Sequence, residues 1–294
     1  MTDGTGLTDD TTPRQPGPGT VRPVLSSGPV ARVAPERAQL LDRWGEAIAR
    51  FADADEGRSV VVRGGDLAAG RGGDVVRPGA SVLKLFVSIA VHAAAASGDV
   101  DLDEAVLVRH LPRSRYPSVL DSLAPEHALS VRELAGLALA TSDNRIAQHL
   151  VDRLGAERIE AVAVSLGCTS TRLRSGFDDA SLDTNARANL TTADDCARAL
   201  AALQGDRRLQ PLAVSLRSSL FNSRILSRLP DDVVVSHKTG SLTGVVNDVG
   251  VIHARSGDLT VCYLADGQAD AACTSVDIGA CTRAVFDAWE ERQR

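Results

Sequence analysis

The sequence predicts a mixed α/β (α+β) fold, in which an antiparallel sheet flanked by helices is built from both ends of the chain. Three observations lead to this prediction. A helix and a strand-like run come first, the middle of the chain is mostly helical, and the last third contains β-rich runs followed by a helix. Strands divided by a helical block predict one sheet with an all-α part inserted into it.

The N-terminal elements follow from periodicity and turn residues. In chain order we expect a helix, a strand, a glycine-rich turn and a short strand: residues 35–55, 58–65, 65–74 and 75–76. The apolar run at residues 81–96 contains Lys84 and His92. It is too short and too interrupted to span a membrane, so it predicts a buried helix.

The middle and the C-terminal third complete the predicted sheet. In chain order we expect a helix broken near its centre, a long loop, a helix, three strands and a closing helix: residues 130–155, 172–190, 191–204, 232–242, 248–255, 259–267 and 274–294. Gly155 suits the end of a helix, and Thr192 suits the start of one. Long loops inside compact domains are usually functional, so residues 172–190 are expected to belong to a site.

The domain boundaries follow from composition. Gly, Pro, Thr and Asp dominate residues 1–35, which we expect to be a disordered tail. Residues 36–294 then form one domain, with an α/β part at 36–79 and 220–294 and an all-α part at 80–219. The tail has no basic segment followed by an apolar stretch, so we expect no secretory signal and a cytoplasmic protein.

Composition excludes several functional classes. A net charge of -6 and an aromatic content of 3% give no electrostatic case for nucleic acid or for an anionic membrane. The histidines lack metal-ligand spacing, and the cysteines are widely spaced without a CxxC motif. We therefore expect reduced, structural thiols, no metal, no cofactor, and a small-molecule substrate. We also expect a monomer.

Lysine usage is the most informative feature of the sequence. Of 32 Lys and Arg residues, only Lys84 and Lys238 are lysines. Lys84 follows Ser81 by three residues, which places the two side chains on one face of a helix. A serine hydroxyl needs a base to become a nucleophile, and a buried lysine can serve because its pKa falls on burial. Arginine cannot serve, because it stays protonated.

Two further motifs contain hydrogen-bonding side chains. Residues 142–144 read SDN, in which Ser142 is a candidate proton relay and Asn144 a candidate amide holder. Residues 237–241 read HKTGS, in which Lys238, Thr239 and Ser241 suit a substrate carboxylate, and Gly240 lets a ligand approach the backbone. Taken alone, each motif occurs in many unrelated proteins. His237 alternates with Lys238 on the strand and is expected to be structural.

The ordered set SxxK, SDN and KTG resembles the signature of class A β-lactamases and penicillin-binding proteins. The resemblance covers roughly residues 36–294 and includes the segments 130–144 and 166–173. It implies the class A β-lactamase/transpeptidase-like fold, with Ser81 as the acylated nucleophile and Lys84 as its base. It also implies Ser142 as the proton shuttle, Asn144 as the amide holder, and an anion site at Lys238, Thr239 and Ser241. The backbone N–H groups of Ser81 and Ser241 would form the oxyanion hole, and Tyr116 would line the entrance.

The sequence departs from this family in the predicted loop. Phe177 stands where class A β-lactamases have the glutamate that activates water to release the acyl group. The neighbouring Asp178 and Asp179 are the candidates for a substitute base. The ion pair of the family's Ω loop is replaced by Ser175 and Leu190. An arginine that follows the KTG motif in many members is replaced by Asn247.

These features separate acylation from deacylation. We expect a serine hydrolase or acyltransferase that forms an acyl-Ser81 intermediate from an amide, ester or lactam bearing a carboxylate. Its acyl group would pass slowly to water, or to an amine or alcohol of a second substrate. Weak β-lactam hydrolysis fits this expectation. Two alternatives remain open, namely a true class A β-lactamase with a substitute base and a non-catalytic protein that binds β-lactams or related acyl compounds.

Overall fold

A five-stranded antiparallel sheet lies at the centre of the computed structural model, which describes residues 35–177 and 189–292. The predicted tail, apart from its last residue, lies outside the described residues. The helices are α1 Pro35–Ala52, α2 Lys84–Ala96, α3 Val131–Ala140, α4 Asn144–Leu154, α5 Ala156–Ser165, α6 Ala193–Gly205, α7 Gln210–Arg217 and α8 Ala271–Glu291. The strands are β1 Arg58–Gly64, β2 Leu67–Arg71, β3 Arg77–Pro78, β4 Ala105–Leu107, β5 Ala128–Ser130, β6 Leu190–Thr191, β7 Val234–Leu242, β8 Val245–Ala254 and β9 Gly257–Ala265.

The strand order of the main sheet is β2-β1-β9-β8-β7, so its strands come from both sides of the helical block. Two short antiparallel pairs, β3 with β6 and β4 with β5, lie apart from this sheet. The mixed α/β fold with an antiparallel sheet is therefore as predicted.

Each face of the sheet packs against helices. On one face, α1 and α8 cover the sheet, and Trp44 stacks near Trp289 with ring centroids 5.6 Å apart. On the other face lies a larger core of the helical part, which includes α2. Helix α2 is buried along most of its length, which explains why its sequence is apolar on every side. Its first residue is Lys84, so the fold buries an amine at the junction of sheet and helices.

Several sequence expectations need correction. Residues 65–74 are more than a turn, because they contain strand β2, which pairs with β1. Val75 and Val76 are exposed and precede β3 rather than forming a strand. Helices α5 and α7 were not predicted, because neither shows a long apolar stripe in the sequence. The cysteines are all free, and Cys273 alone is exposed. Within residues 35–177 and 189–292, no helix has the length and apolarity that crossing a membrane requires.

Candidate active site

Ser81 lies in a tight 3₁₀ turn, Ala80–Leu83, that leads directly into α2. The residue before it, Ala80, has a φ of 49°, a left-handed conformation that side chains other than glycine rarely adopt. Among the described residues, the only other non-glycine residue with positive φ is Ser142, at 57°. Such strained backbone costs on the order of 1 kcal/mol or more per residue and clusters at active sites. The two strained positions flank one constellation of side chains.

Lys84 lies at the centre of this constellation and is fully buried. Its Nζ is 3.1 Å from Ser81 Oγ, 2.5 Å from the backbone oxygen of Ser142, and 2.5 Å from Asn144 Oδ1. The two carbonyl-type oxygens can only accept hydrogen bonds. A neutral amine has two N–H groups for them and one lone pair, which is then free to accept the proton of Ser81. The geometry therefore suits Lys84 as a base toward Ser81.

The electrostatic environment favours this neutral form. Burial lowers the pKa of Lys84 well below its usual value, and the nearby charge of Lys238 lowers it further, whereas Asp143 raises it. The carboxylate of Asp143 accepts hydrogen bonds from the Ser118 hydroxyl and from the backbone N–H groups of Val119 and Ile146. Asp143 thus caps α4 and is not a hydrogen-bond partner of Lys84.

Ser142 links the two lysines. Lys238 Nζ lies 2.9 Å from Ser142 Oγ, and Lys84 Nζ lies 3.3 Å from the same oxygen. Lys238 is buried on β7 and also donates to the backbone oxygen of Thr239 at 2.8 Å. Burial lowers the pKa of Lys238 to about 7, with Asp248 opposing this shift and Arg224 adding to it. A continuous path of hydrogen-bonding atoms joins Lys84, Ser142 and Lys238.

The end of β7 passes close to the Ser81 turn because residue 240 is glycine. A Cβ at Gly240 would lie 2.8 Å from the backbone oxygen of Gly79 and 3.1 Å from the N–H of Val82. Thr239 is buried and Ser241 is exposed beside this contact. The structure therefore brings the KTG segment against the turn that carries Ser81.

Sequence reasoning missed Arg224, which is largely buried behind β7. Its guanidinium donates to the backbone oxygens of Gly240 and Asn247 at 3.0 and 2.5 Å, and to Ser241 Oγ at 2.6 Å. Asn247 has a purely structural role in these contacts, because its amide donates to Pro78 and accepts from the N–H of Ala265. A cation is thus present at this edge of the site, and it comes from a residue 14 positions before Lys238 rather than from the strand after it.

Phe177 closes the constellation on the side of the long loop. Its ring centroid lies 5.1 Å from Lys84 Nζ, and the residue is buried in the larger core. The Gln148 side chain on α4 accepts a hydrogen bond of 2.9 Å from the N–H of Phe177 and so fixes this backbone. An apolar ring, not a carboxylate, therefore faces the candidate base.

The two described ends of the predicted loop, residues 172–177 and 189–190, are joined to each other by hydrogen bonds. Arg172 and Leu190 exchange two backbone hydrogen bonds of 2.8 and 2.9 Å. Asn189 Oδ1 accepts from the N–H groups of Arg174 and Ser175 at 2.8 and 3.0 Å. Asn189 also accepts, through its backbone oxygen, from the N–H of Gly79 beside the Ser81 turn. These contacts connect the loop to the site.

The remaining predicted residues lie elsewhere or outside the described chain. Tyr116 is 36% exposed, and its hydroxyl accepts a hydrogen bond from Arg115 rather than from any residue of the constellation. Its role at the entrance stays a prediction. Asp178 and Asp179 lie outside the described residues. His237 points away from Lys238 and bonds to Asp248 and Asn222, as a structural residue would. Across the part of the chain that the structure describes, no three His, Cys, Asp or Glu side chains converge on a possible metal position.

Comparison with known proteins decides the family. Residues 45–289 match the model of a family described as the β-lactamase enzyme family, which is well over half of the chain. The chain belongs to the β-lactamase enzyme family. Within it, the protein is a serine hydrolase of the class A β-lactamase-like group, as the ordered motifs predicted.

Solved structures of β-lactamases and of PBP-A share this fold. The β-lactamase from Sphaerobacter thermophilus is 28% identical, with a TM-score of 0.74 over 84% of this chain and 97% of that chain. A class A β-lactamase from Bacteroides cellulosilyticus is 21% identical, with a TM-score of 0.76 over 86% of this chain and 99% of that chain. A mutant of PBP-A in an acyl-enzyme complex with penicillin G is 23% identical, with a TM-score of 0.73 over 88% and 100%. Among curated proteins, none matches this chain significantly.

Proposed function

We propose that this β-lactamase-family protein forms an acyl-enzyme on Ser81 and releases the acyl group slowly to water or transfers it to an amine or alcohol. The observation that carries this proposal is the environment of Lys84. Two carbonyl-type oxygens occupy its N–H groups, Ser81 lies 3.1 Å from Nζ, and an aromatic ring lies 5.1 Å away. The arrangement supports a base for acylation and offers no described carboxylate for deacylation.

These contacts support acylation in the following steps. Lys84 takes the proton of Ser81, and Ser81 Oγ forms a bond to the carbonyl carbon of the donor. The N–H groups of Ser81 and Ser241 are the proposed donors to the oxyanion, an interaction typically worth about 3–4 kcal/mol per donor. The bond from carbon to the leaving nitrogen or oxygen then breaks. The leaving atom takes a proton through Ser142, which lies between the two lysines.

The donor is proposed to carry a carboxylate. The proposed carboxylate-binding group has two basic side chains, and all of its members except Ser241 are buried: Lys238, Thr239, Ser241 and Arg224. Charge-assisted hydrogen bonds to a carboxylate are the strong ones, so this edge favours anionic amides, esters and lactams. Asn144 is proposed to hold the amide of the donor. We expect the protein to act as a cytoplasmic monomer, with an amine or alcohol as the second substrate.

Intact-mass spectrometry with penicillin G tests the proposal. Penicillin G supplies the acyl group in the acyl-enzyme complex of the PBP-A mutant, whose fold this chain shares, so it is the probe used here. The expected result is a single covalent adduct on Ser81 that forms within minutes and persists for hours. The Ser81→Ala variant should form no adduct, and a Ser275→Ala variant, at a half-buried position on α8, should behave as the unmodified protein does.

Three outcomes would contradict the proposal. An adduct that forms and disappears within seconds would favour a true β-lactamase with a substitute base such as Asp178 or Asp179. An adduct retained in the Ser81→Ala variant would exclude Ser81 as the nucleophile. Reversible binding without an adduct, for penicillin G and for carboxylate-bearing thioesters alike, would favour the non-catalytic alternative.

A further inference from the structure

A cavity lies away from the Ser81 constellation, between α6, α7 and the helical face of the sheet. It has a volume of about 170 Å³, and its apolar wall includes Leu200, Leu203, Leu216 and Val251. A cavity of about 150 Å³ with such walls accommodates a benzene ring. None of the residues assigned above to the Ser81 site lines it. The cavity is large enough for a small aryl or alkyl group.

Three polar side chains from adjacent strands meet at the sheet side of this cavity. Ser236 on β7 pairs with Val251 on β8, and His253 lies two residues further along β8. His253 in turn pairs with Asp258 on β9. Alternate residues of a strand point to the same face, so the register places Ser236, His253 and Asp258 side by side on the face that carries Val251.

The contacts occur in the order serine, histidine, aspartate. Ser236 Oγ lies 2.9 Å from His253 Nε2, and His253 Nδ1 lies 3.0 Å from Asp258 Oδ1. An ionised carboxylate only accepts, so Nδ1 carries the proton, and Nε2 of the neutral ring can then accept from Ser236. The backbone oxygen of Ala213, at 3.3 Å, is the other acceptor within reach of the Ser236 hydroxyl, and it is the longer contact. Gln204 donates to the other oxygen of Asp258 at 2.7 Å and holds the carboxylate. This is the relation of nucleophile, base and orienting carboxylate found in serine hydrolases.

A small molecule can reach Ser236 and His253, as a nucleophile and its base require. Ser236 is buried in the protein but lines the cavity, whereas the side chain of His253 is 25% exposed. Arg217 lines the same cavity and has no ion-pair partner among the described residues. Because Arg217 and Ser236 line the same cavity, we assign the Arg217 guanidinium as the donor to the oxygen that becomes negative on the bound ester.

We infer that this cavity is a second reactive site, at which Ser236 accepts the acyl group of small uncharged esters. His253 takes the Ser236 proton as Oγ bonds to the carbonyl carbon, and the carbon–oxygen bond to the alcohol breaks. His253 then returns the proton to the departing alkoxide. The product is an acyl-Ser236 ester and a free alcohol or phenol, so no further reactant is needed. Anionic donors are directed to Ser81 by Lys238, and small neutral aryl esters fit the apolar wall here.

The test uses 4-nitrophenyl acetate with the full-length Ser81→Ala protein, so that chemistry at Ser81 cannot contribute. Release of 4-nitrophenolate and intact mass are followed together, and the acetylated peptide is mapped. One acetyl group on the peptide that contains Ser236 is expected. Its rate of formation should fall at least about 100-fold in His253→Gln, the usual scale of a lost general base. No acetyl group should form on this peptide when Ser236→Ala is added.

Two further variants keep the test decisive if Ser236→Ala fails to fold. Leu203→Phe adds volume to the apolar wall of the cavity and changes none of the three polar side chains, and it should slow acetylation at least about 10-fold. Ser218→Ala, an exposed serine at the end of α7, is the matched control and should leave acetylation unchanged. No acetylation of the Ser81→Ala protein, an acetyl group on another residue, or an equal rate in His253→Gln would each overturn the inference.

Discussion

Replacing Phe177 by glutamate should convert a persistent acyl-enzyme into one that turns over. Gln148 fixes the backbone of residue 177, so a glutamate there directs its carboxylate toward the space that the ring now fills. That space is centred 5.1 Å from Lys84 Nζ. Two hydrogen bonds of about 2.8 Å each span such a gap, so one water fits between a carboxylate at this position and Lys84 Nζ. A general base at this position typically accelerates a reaction by about 10²–10⁴-fold.

The same change has two costs that can be estimated. A carboxylate about 5 Å from Lys84 interacts with its ammonium form by about 3 kcal/mol at an effective dielectric constant of 20. This raises the pKa of Lys84, so acylation by Phe177→Glu should slow at neutral pH. Loss of the buried ring should destabilise the protein by about 3 kcal/mol, within the range for large-to-small changes in a core. Thermal unfolding measures this second effect.

The assay follows the decay of the penicillin adduct by intact mass after excess penicillin is removed. Phe177→Glu should release the acyl group at least about 100-fold faster than the unmodified protein, which corresponds to about 3 kcal/mol in activation free energy. Phe177→Gln is the matched control, because it removes the same ring and has nearly the same shape without a base. Equal decay of the adduct in the Glu and Gln variants would refute the reasoning. Removal of the buried ring would then be enough to explain faster release of the acyl group, without a general base.

Four further predictions concern the two lysines, the arginine and the glycine. Lys84→Arg should lower the acylation rate at least about 100-fold, because arginine stays protonated, and stopped-flow or mass-based acylation rates measure this. For donors with a carboxylate, kcat/KM should fall as pH rises through about 7, the pKa of Lys238, because the lysine is charged below that pH and neutral above it; a neutral ester of the same acyl group should show a smaller fall, because it makes no charge contact with Lys238. Arg224→Ala should weaken acylation by the anionic donor about 10-fold or more relative to the neutral one, the scale of one lost charged hydrogen bond; an equal loss for both donors would indicate misfolding instead. Gly240→Ala should destabilise the protein by about 1–3 kcal/mol, because the added Cβ would contact backbone atoms of Gly79 and Val82, and the thermal unfolding midpoint reports it.

The sheet could be predicted because its strands carry strong local signals. Strands β7, β8 and β9 are apolar runs separated by turns, and the structure pairs them in chain order. Strand β2 was missed, since its sequence, LAAGR, has small residues and glycine rather than β-branched side chains. Pairing with β1, a tertiary effect, makes it a strand.

The candidate site could be predicted in part, because motif residues lie close in sequence to the elements that position them. Ser81 and Lys84 share one turn, so their proximity is local. Arg224 could not be found in this way. It is one arginine among many, it follows no motif, and its approach to Ser241 depends on how the segment before β7 folds back. The sequence signal for a second cation was the absence of an arginine after the KTG motif. Without that arginine, the predicted carboxylate site lacks one of the cations that the family pattern implies.

One physical reason explains why Lys84 and Lys238 are lysines in a chain whose other basic residues are arginines. A carboxylate would be bound as well or better by arginine, since its fork matches both oxygens. Charge alone therefore does not explain Lys238. What arginine cannot do is lose a proton near neutral pH, and the pKa of Lys238 is lowered to about 7 while that of Lys84 is lowered well below its usual value. Both amines contact Ser142 Oγ. We infer that the lysines serve one proton path, in which Lys84 takes the proton of Ser81 and Lys238 helps Ser142 return one to the leaving group.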